Sequence, residues 1–132
     1  MKTEIKQFKS DNYPLIKSWW EFAKEVAPEL NVMPETSYIM YHNEQPILSI
    51  SLFLTNGCLA WIDNFIGNPE FKGEIRKQCS KLLINHIEEV AKLNGKDRLF
   101  CMSINDKTSK RYIELGYDKT CSNVSTFIKK VV

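Results

Sequence analysis

The sequence has 132 residues, of which 43% are hydrophobic and 26% charged. This composition is that of an ordinary globular protein and excludes a disordered chain. At about 100–200 residues per domain, residues 1–132 predict a single domain. The net charge of +2 argues against a dedicated duplex-DNA-binding protein, which usually has a strongly basic face. No apolar run approaches the roughly 20 residues of a membrane helix, and the N-terminus has no secretory signal pattern, so we expect a cytoplasmic protein.

The cysteine pattern predicts neither disulfides nor a metal site. No Cys-x-x-Cys pair occurs, and neither His42 nor His86 stands at zinc-ligand spacing from a cysteine. A chain without a secretory signal keeps its thiols reduced. We therefore expect four buried, inert thiols, at Cys58, Cys79, Cys101 and Cys121.

The first half of the chain predicts a strand, a helix and a three-stranded meander. Residues 2–8 predict the strand, and Pro14 suits the first turn of a helix whose apolar spacing continues to Val26, before Pro28. Three further strands are predicted, at residues 37–42, 47–54 and 59–66. Their short turns, one of which carries an Asn-Gly pair, predict antiparallel pairing.

The second half predicts two helices that alternate with two strands. Apolar spacing predicts a long amphipathic helix over residues 74–94, which Asn94 and Gly95 end. A buried strand at residues 99–104 follows, then a helix from Asn105 to residue 115 that Gly116 caps, and a last strand at residues 124–131. The predicted order is βα-βββ-αβ-αβ.

The charges on the long helix oppose its dipole. Basic residues lie near its start and Glu88 and Glu89 near its end, whereas a helix N-terminus favours negative charge. An anion bound at the N-terminus would account for this arrangement. A solvated charged surface accounts for it equally well. The basic residues are Lys72, Arg76, Lys77 and Lys81.

Two motifs, together with the element order, resemble the GNAT superfamily of N-acetyltransferases, and the chain is similar to small members often encoded by tailed phages. Residues 68–73 (Asn-Pro-Glu-Phe-Lys-Gly) resemble the start of the acetyl-CoA loop, and Asn105, Tyr112 and Gly116 fit the later signature. The resemblance implies an α/β (α+β) fold with a mixed, mostly antiparallel twisted sheet of 6–7 strands, flanked by about 3–4 helices. It implies acetyl-CoA as cofactor and an amine-bearing small molecule or protein as acceptor.

The resemblance also assigns the cofactor-binding residues: Ile66, Gly67, Lys72, Gly73, Glu74, Ile75, Arg76, Lys77, Asn105 and Tyr112. The family loop usually contains further glycines that close around a pyrophosphate, and this chain keeps only Gly73. Two outcomes follow from that departure. Arg76 and Lys77 replace the glycine contacts with side-chain contacts, or CoA binding is weakened or lost.

Two residues are candidates for catalysis. Tyr112 matches the family tyrosine that protonates the leaving thiolate, and a phenol is protonated at neutral pH, as an acid must be. Helical periodicity alone assigns Tyr112 to the core. Asp63 interrupts an apolar strand, where it either accepts the amine proton or simply faces solvent.

The first helix lies on the acceptor side in the family, so Tyr13, Trp19 and Trp20 are the predicted substrate-binding residues. Adjacent tryptophans cannot both face the core, so one is expected at the surface. Two functions remain open. One is an acetyl-CoA-dependent N-acetyltransferase that acts on a primary amine. The other is a non-catalytic GNAT-fold protein that acts through contacts with another protein or as a homodimer.

Overall fold

The computed structural model describes residues 2–103 and 106–131. It divides into two units, one ending at Met102 and the other starting at Ser103. The first unit holds a five-stranded sheet with two α-helices, and the second holds one further α-helix. No helix in the described ranges is long and apolar enough to cross a membrane.

The sheet has five strands, β1 (Thr3–Gln7), β2 (Ser37–His42), β3 (Gln45–Leu54), β4 (Leu59–Gly67) and β5 (Arg98–Cys101). They lie side by side in the order β1-β2-β3-β4-β5. The pairs β1–β2, β2–β3 and β3–β4 are antiparallel, and β5 pairs parallel to β4. The meander predicted from the turn residues is thereby confirmed.

The helix α1 (Tyr13–Phe22) packs on one face of the sheet through Ile16 and Trp19, which form a buried cluster with Ile39 of β2. A 3₁₀ turn (Ser10–Asn12) precedes it, and a second one (Leu30–Val32) follows. The helix is shorter than predicted. Lys24 adopts a φ of 60°, and the two reversed hydrogen bonds of a Schellman motif end the helix there.

This early end changes which apolar residues α1 buries. Val26 lies beyond the helix and is 94% exposed, and Phe22 in its last turn is 69% exposed. The apolar spacing predicted a buried face that continues to Val26, and this part of the prediction is wrong. The adjacent tryptophans differ, since Trp19 is buried and Trp20 is half-buried.

The helix α2 (Glu74–Leu93) covers the other face of the sheet and packs on β3. Its length and its end at Asn94 and Gly95 agree with the prediction. His86 lies edge-on to Tyr38 of β2, with ring centroids 4.9 Å apart, and burial lowers the pKa of its imidazole. The buried side chains of α2 are Cys79, Ser80, Leu83, Ile84, Ile87 and Ala91.

The second unit contains α3 (Asp106–Glu114). The helix start predicted at Asn105 lies outside the described residues. The last predicted strand is wrong, since residues 117–131 form no helix or strand, and the described chain has five strands rather than 6–7. A strand needs a partner for its backbone groups, and α3 is the regular element of this unit. Phe127 and Ile128 are 93% and 94% exposed there.

The thiol prediction is correct for one cysteine and wrong for two. Cys79 is buried on α2, and burial raises the pKa of its thiol. Cys101 on β5 is half-buried, whereas Cys58 and Cys121 are exposed. Cys58 directly follows the hairpin turn between β3 and β4, and Cys121 lies in the irregular C-terminal segment. The regular spacing of the cysteines therefore does not correspond to one thiol per buried element.

Candidate functional site

The strand β4 loses one of its two partners partway along its length. It pairs with β5 from Leu59 to Ile62 and continues to Gly67. Within the described residues, no strand pairs with this edge of β4 beyond Ile62. Unpaired backbone N–H and C=O groups along such an edge can bind an extended ligand.

A bulge lies where the second half of β4 begins. Ser51 of β3 pairs with Asp63, and Ser49 pairs with Ile66, so β4 carries one extra residue between these pairs. Asn64 occupies the bulge with a φ of 55°, a left-handed conformation that asparagine tolerates better than most residues. The bulge redirects β4 at the point where its pairing with β5 ends.

A series of buried and partly buried hydrogen bonds holds this bulge. Asn64 Nδ2 donates to Ser51 Oγ at 3.2 Å, and Ser51 Oγ lies 2.8 Å from Ser37 Oγ. Ser37 Oγ donates to the Pro34 carbonyl oxygen at 2.8 Å. Because that bond uses the Ser37 proton, Ser51 must donate to Ser37, and the hydrogen bonds all run in one direction from Asn64 to Pro34.

Asp63 lies directly before the bulge and is exposed. Its Oδ1 accepts a hydrogen bond from the Asn64 backbone N–H at 2.7 Å. This bond fixes one carboxylate oxygen, while the side chain stays open to solvent. A role for Asp63 as a proton acceptor therefore depends on its position beside the bulge, because its side chain is not buried.

The loop after β4 is fixed by Asn68, a residue of the first motif that is only 8% exposed. Its Nδ2 donates to the Pro46 carbonyl at 2.9 Å, and its Oδ1 accepts from the Glu70 N–H at 3.0 Å. Its backbone N–H donates to the Ile47 carbonyl at 2.7 Å. The motif asparagine therefore positions the approach to α2.

Arg76 connects the first turn of α2 to the end of β4. Its Nη2 donates to the Asn68 carbonyl oxygen at 3.1 Å. The guanidinium packs so closely on Gly67 that a Cβ there would lie 2.1 Å from Nη2. Gly67 is thus required for this close approach, and the Arg76 cation is held beside the helix N-terminus.

The start of α2 is open to solvent and rich in basic side chains. Gly73 is the N-cap with a φ of 71°, and it has no side chain to cap the first N–H groups. The first turn carries Glu74 as its acidic residue, and Gln78 Nε2 donates weakly to Glu74 Oε1 at 3.5 Å. The exposed residues around this start are Lys72, Gly73, Glu74, Ile75 and Lys77.

The predicted acid lies in the second unit. Tyr112 is 6% exposed on α3, and its ring meets that of Tyr117 edge-on with centroids 5.2 Å apart. Asn105, the other residue of the second motif with a predicted contact to the cofactor, lies outside the described residues. Asp63, Ile66, Gly67 and the residues at the start of α2 all belong to the first unit.

The predicted acceptor residues on α1 have different environments. Trp19 packs in the core cluster, and Trp20 is half-buried against the same cluster. The Tyr13 hydroxyl donates to the Pro28 carbonyl at 2.7 Å, so it holds the segment that follows α1. Tyr13 and Trp20 are both half-buried, whereas Trp19 is buried.

Sequence reasoning missed Asn64, Ser51 and Ser37. Alternating serines in β3 and the Asp-Asn pair in β4 were the available signals, because polar residues inside apolar strands need hydrogen-bond partners. Which residues serve as those partners depends on the register between strands.

A separate concavity of about 470 Å³ is lined by Lys6, Gln7, Lys9, Asn12 and Tyr41. It belongs to the outer edge of the sheet at β1 and β2, and β3 lies between these strands and β4. It contains none of the predicted site residues. Across the described ranges, no group of three or more His, Cys, Asp or Glu side chains is placed to hold a metal ion.

No protein-family model and no curated protein matches the chain. Solved structures of acetyltransferases do match it. An acetyltransferase from Trypanosoma brucei superposes with a TM-score of 0.73 at 15% identity, covering 96% of this chain and 100% of that one. A predicted acetyltransferase from Clostridium acetobutylicum, solved with acetyl-CoA, gives a TM-score of 0.65 at 11% identity, with 96% of each chain covered.

N-acetylglutamate synthase from Neisseria gonorrhoeae, solved with coenzyme A and L-arginine, gives a TM-score of 0.71 at 19% identity over 90% of this chain. This chain spans only 28% of that enzyme's length. Likeness at these identities establishes the fold. The chain therefore has the same fold as these proteins, and this supports the fold that the sequence resemblance implied.

Proposed function

We propose that the protein is an acetyl-CoA-dependent N-acetyltransferase that transfers an acetyl group to a primary amine. The observation that carries the proposal is the open half of β4, which leads through a fixed loop into the basic, uncapped start of α2. Two of the similar structures were solved with CoA or acetyl-CoA, and this supports the same cofactor here.

The residues present fit a pyrophosphate at the start of α2. Gly73 leaves the helix N–H groups uncapped, and the Arg76 guanidinium is held beside them. Ile75 and Lys77, which stand where the family has glycines, are exposed. In the proposal, residues 72–77 hold the phosphates, with Arg76 and Lys77 as the cationic partners.

The backbone of Ile66 and Gly67 would bind the extended pantetheine arm along the open edge of β4, with Asn105 as a further contact. Bound acetyl-CoA would supply the reactive thioester. Asp63 would accept the proton that the amine loses as it attacks the carbonyl carbon. Tyr112 would donate its phenolic proton to the leaving sulfur. Trp20 is the α1 residue that we propose on the acceptor side, near Tyr13 and Trp19.

One observation favours the non-catalytic alternative. The Arg76 guanidinium is already bonded to the Asn68 carbonyl and packed on Gly67, and no further glycine follows Gly73 in the loop. A protein that had lost CoA binding could still keep the contact of Arg76 with Asn68 and Gly67, because this contact needs no cofactor. It would then act through binding to another protein or to a second copy of itself.

A turnover assay separates the two functions. The protein is incubated with acetyl-CoA and a mixture of primary amines, and free CoA thiol and acetylated amine are measured together. The proposal expects both products in equal amounts, with neither formed by an Asp63→Asn, Tyr112→Phe double variant. Absence of acetylated amine, together with absence of CoA binding, would support the non-catalytic alternative.

A further inference from the structure

Aromatic side chains form a row across three neighbouring strands of the sheet. Phe53 of β3 pairs with Trp61 of β4, which in turn pairs with Phe100 of β5. Directly paired residues project to the same face of a sheet. The Trp61 and Phe100 rings meet edge-on with centroids 5.4 Å apart. All three side chains are half-buried, so the row keeps accessible ring surface.

Asp63 lies on the same face as this row. It follows Trp61 by two residues, and the bulge comes only after Asp63, so the alternation of side chains is undisturbed between them. Two residues of strand place its Cα about 6.6 Å from that of Trp61. An exposed carboxylate therefore stands next to an aromatic surface.

The same face continues to α1. Ile66 and Trp20 both pack against the cluster of Ile16, Trp19 and Ile39. Asp63 thus lies between the aromatic row on one side and the residues under α1 on the other. On the far side of the row, Arg98 pairs with Leu59 and is itself bonded to Asp97, with Nη1 and Oδ1 3.4 Å apart. Arg98 thus has a carboxylate partner of its own in Asp97.

We infer that this face binds a primary amine carried on a flat apolar group, with the ring on Phe53, Trp61 and Phe100 and the ammonium at Asp63. The inference rests on the proposed function and names the class of its acceptor. A protonated amine is attracted to a carboxylate and to aromatic faces. An acceptor with its own carboxylate or phosphate would place like charge beside Asp63.

Ligand-observed NMR titrations without acetyl-CoA test the inference directly. The probes are 2-phenylethylamine, n-butylamine of the same charge, and L-glutamate, which adds acidic groups. Burial of the ring predicts roughly 10- to 100-fold tighter binding of 2-phenylethylamine than of n-butylamine. We expect L-glutamate to show no saturable binding.

Variants locate the site. Trp61→Leu should remove most of the preference for 2-phenylethylamine over n-butylamine, and Phe100→Leu serves the same purpose if the first variant does not fold. The matched control is Tyr38→Leu, a half-buried aromatic residue that contacts His86 of α2 on the opposite face. It should leave the preference unchanged.

The outcomes separate this inference from the proposed function. Equal binding of the two amines, or a preference that Trp61→Leu leaves intact, overturns the inference even if acetyl-CoA binds normally. Selective binding that depends on Trp61 supports it, and acetyl transfer to 2-phenylethylamine would then identify the bound amine as the acceptor. Selective binding with no transfer to any amine would leave a binding site and overturn the assignment as acceptor.

Discussion

The two halves of β4 differ in what their residues contact. From Leu59 to Ile62 the strand is paired on both sides, and Ala60 and Ile62 are buried. From Asp63 to Gly67 the strand bulges, leaves β5 and is at most half-buried. The first half is committed to the sheet, whereas the second half keeps backbone groups and charges available to a ligand. One strand thus combines a half that is paired on both sides with a half that has an open edge.

The largest expected effect is on the rate of acetyl transfer, when Asp63 at the start of the open half of β4 is changed. Asp63→Asn should keep the hydrogen bond from the Asn64 N–H and leave the free energy of unfolding nearly unchanged. Loss of the proton acceptor should slow acetyl transfer by roughly 10²–10⁴-fold. Single-turnover kinetics and urea unfolding of the same variant check both expectations, and an unchanged rate would remove Asp63 from the chemistry.

An effect of the same size is expected in the second unit. Tyr112→Phe removes the phenolic proton and keeps the ring, so acetyl-CoA should bind as before while the chemical step slows by roughly 10²–10⁴-fold. Equilibrium binding and single-turnover measurements distinguish the cases. If affinity and rate fall together by the same factor, Tyr112 is a binding residue rather than an acid.

Substitutions in the half of β4 that is paired on both sides should lower the free energy of unfolding rather than the rate of acetyl transfer. Ile62→Ala leaves a cavity in the core and should reduce the free energy of unfolding by about 2–5 kcal/mol. Ile66→Ala, in the half-buried part of the strand, should cost clearly less. Urea unfolding of both variants checks the difference. Equal losses would show that the two halves contribute alike to the core.

A smaller effect is expected for the cation at the start of α2. Arg76→Ala should weaken acetyl-CoA binding by roughly 10- to 100-fold, as expected for the loss of a charged hydrogen bond. Lys92→Ala is the matched control at the other end of α2, where the Lys92 ammonium forms an exposed ion pair with Glu89, and it should leave affinity unchanged. Calorimetric titration measures both.

Gly67→Ala sharpens this test because it leaves Arg76 in the sequence. The added Cβ overlaps the guanidinium and should displace it from the helix start. Weaker acetyl-CoA binding in both variants would support the proposed position of the cation. Normal binding in Gly67→Ala would show that the cation acts from another position.

The smallest effect concerns the bulge. Asn64→Gly keeps the left-handed backbone and removes the hydrogen bond to Ser51, so unfolding should cost about 0.5–1.5 kcal/mol less. Asn43→Gly is the matched control, since Asn43 also has a positive φ, of 47°, and its side chain contacts the exposed Lys2 N–H and the His42 ring. Equal changes in urea unfolding would contradict a special role for Asn64.

The sequence predicted those parts of the fold that have local signals. Turn residues specified the meander, and Gly95 marked the end of α2, where it takes a φ of 74° in a Schellman motif. The same motif ends α1 with Lys24, a residue that gives no such signal. Residues 124–131 have strand propensity, but propensity alone does not supply a partner strand.

The candidate site was predictable only in outline. The first motif led to residues 66–77, which belong to the same unit as Asp63. The contact of Arg76 with Gly67, the hydrogen bonds from Asn64 to Pro34 and the aromatic row depend on the register between strands. A one-residue change in register would place different residues together.

The most direct test of the central claim is thermal unfolding with acetyl-CoA. If the open half of β4 and the start of α2 bind it, acetyl-CoA at 100 times its dissociation constant adds about 2.7 kcal/mol of stability. For a domain of this size, Tm should rise by about 2–8 °C per kcal/mol. Arg76→Ala should reduce that rise at equal ligand concentration. An unchanged Tm at millimolar acetyl-CoA would contradict the account.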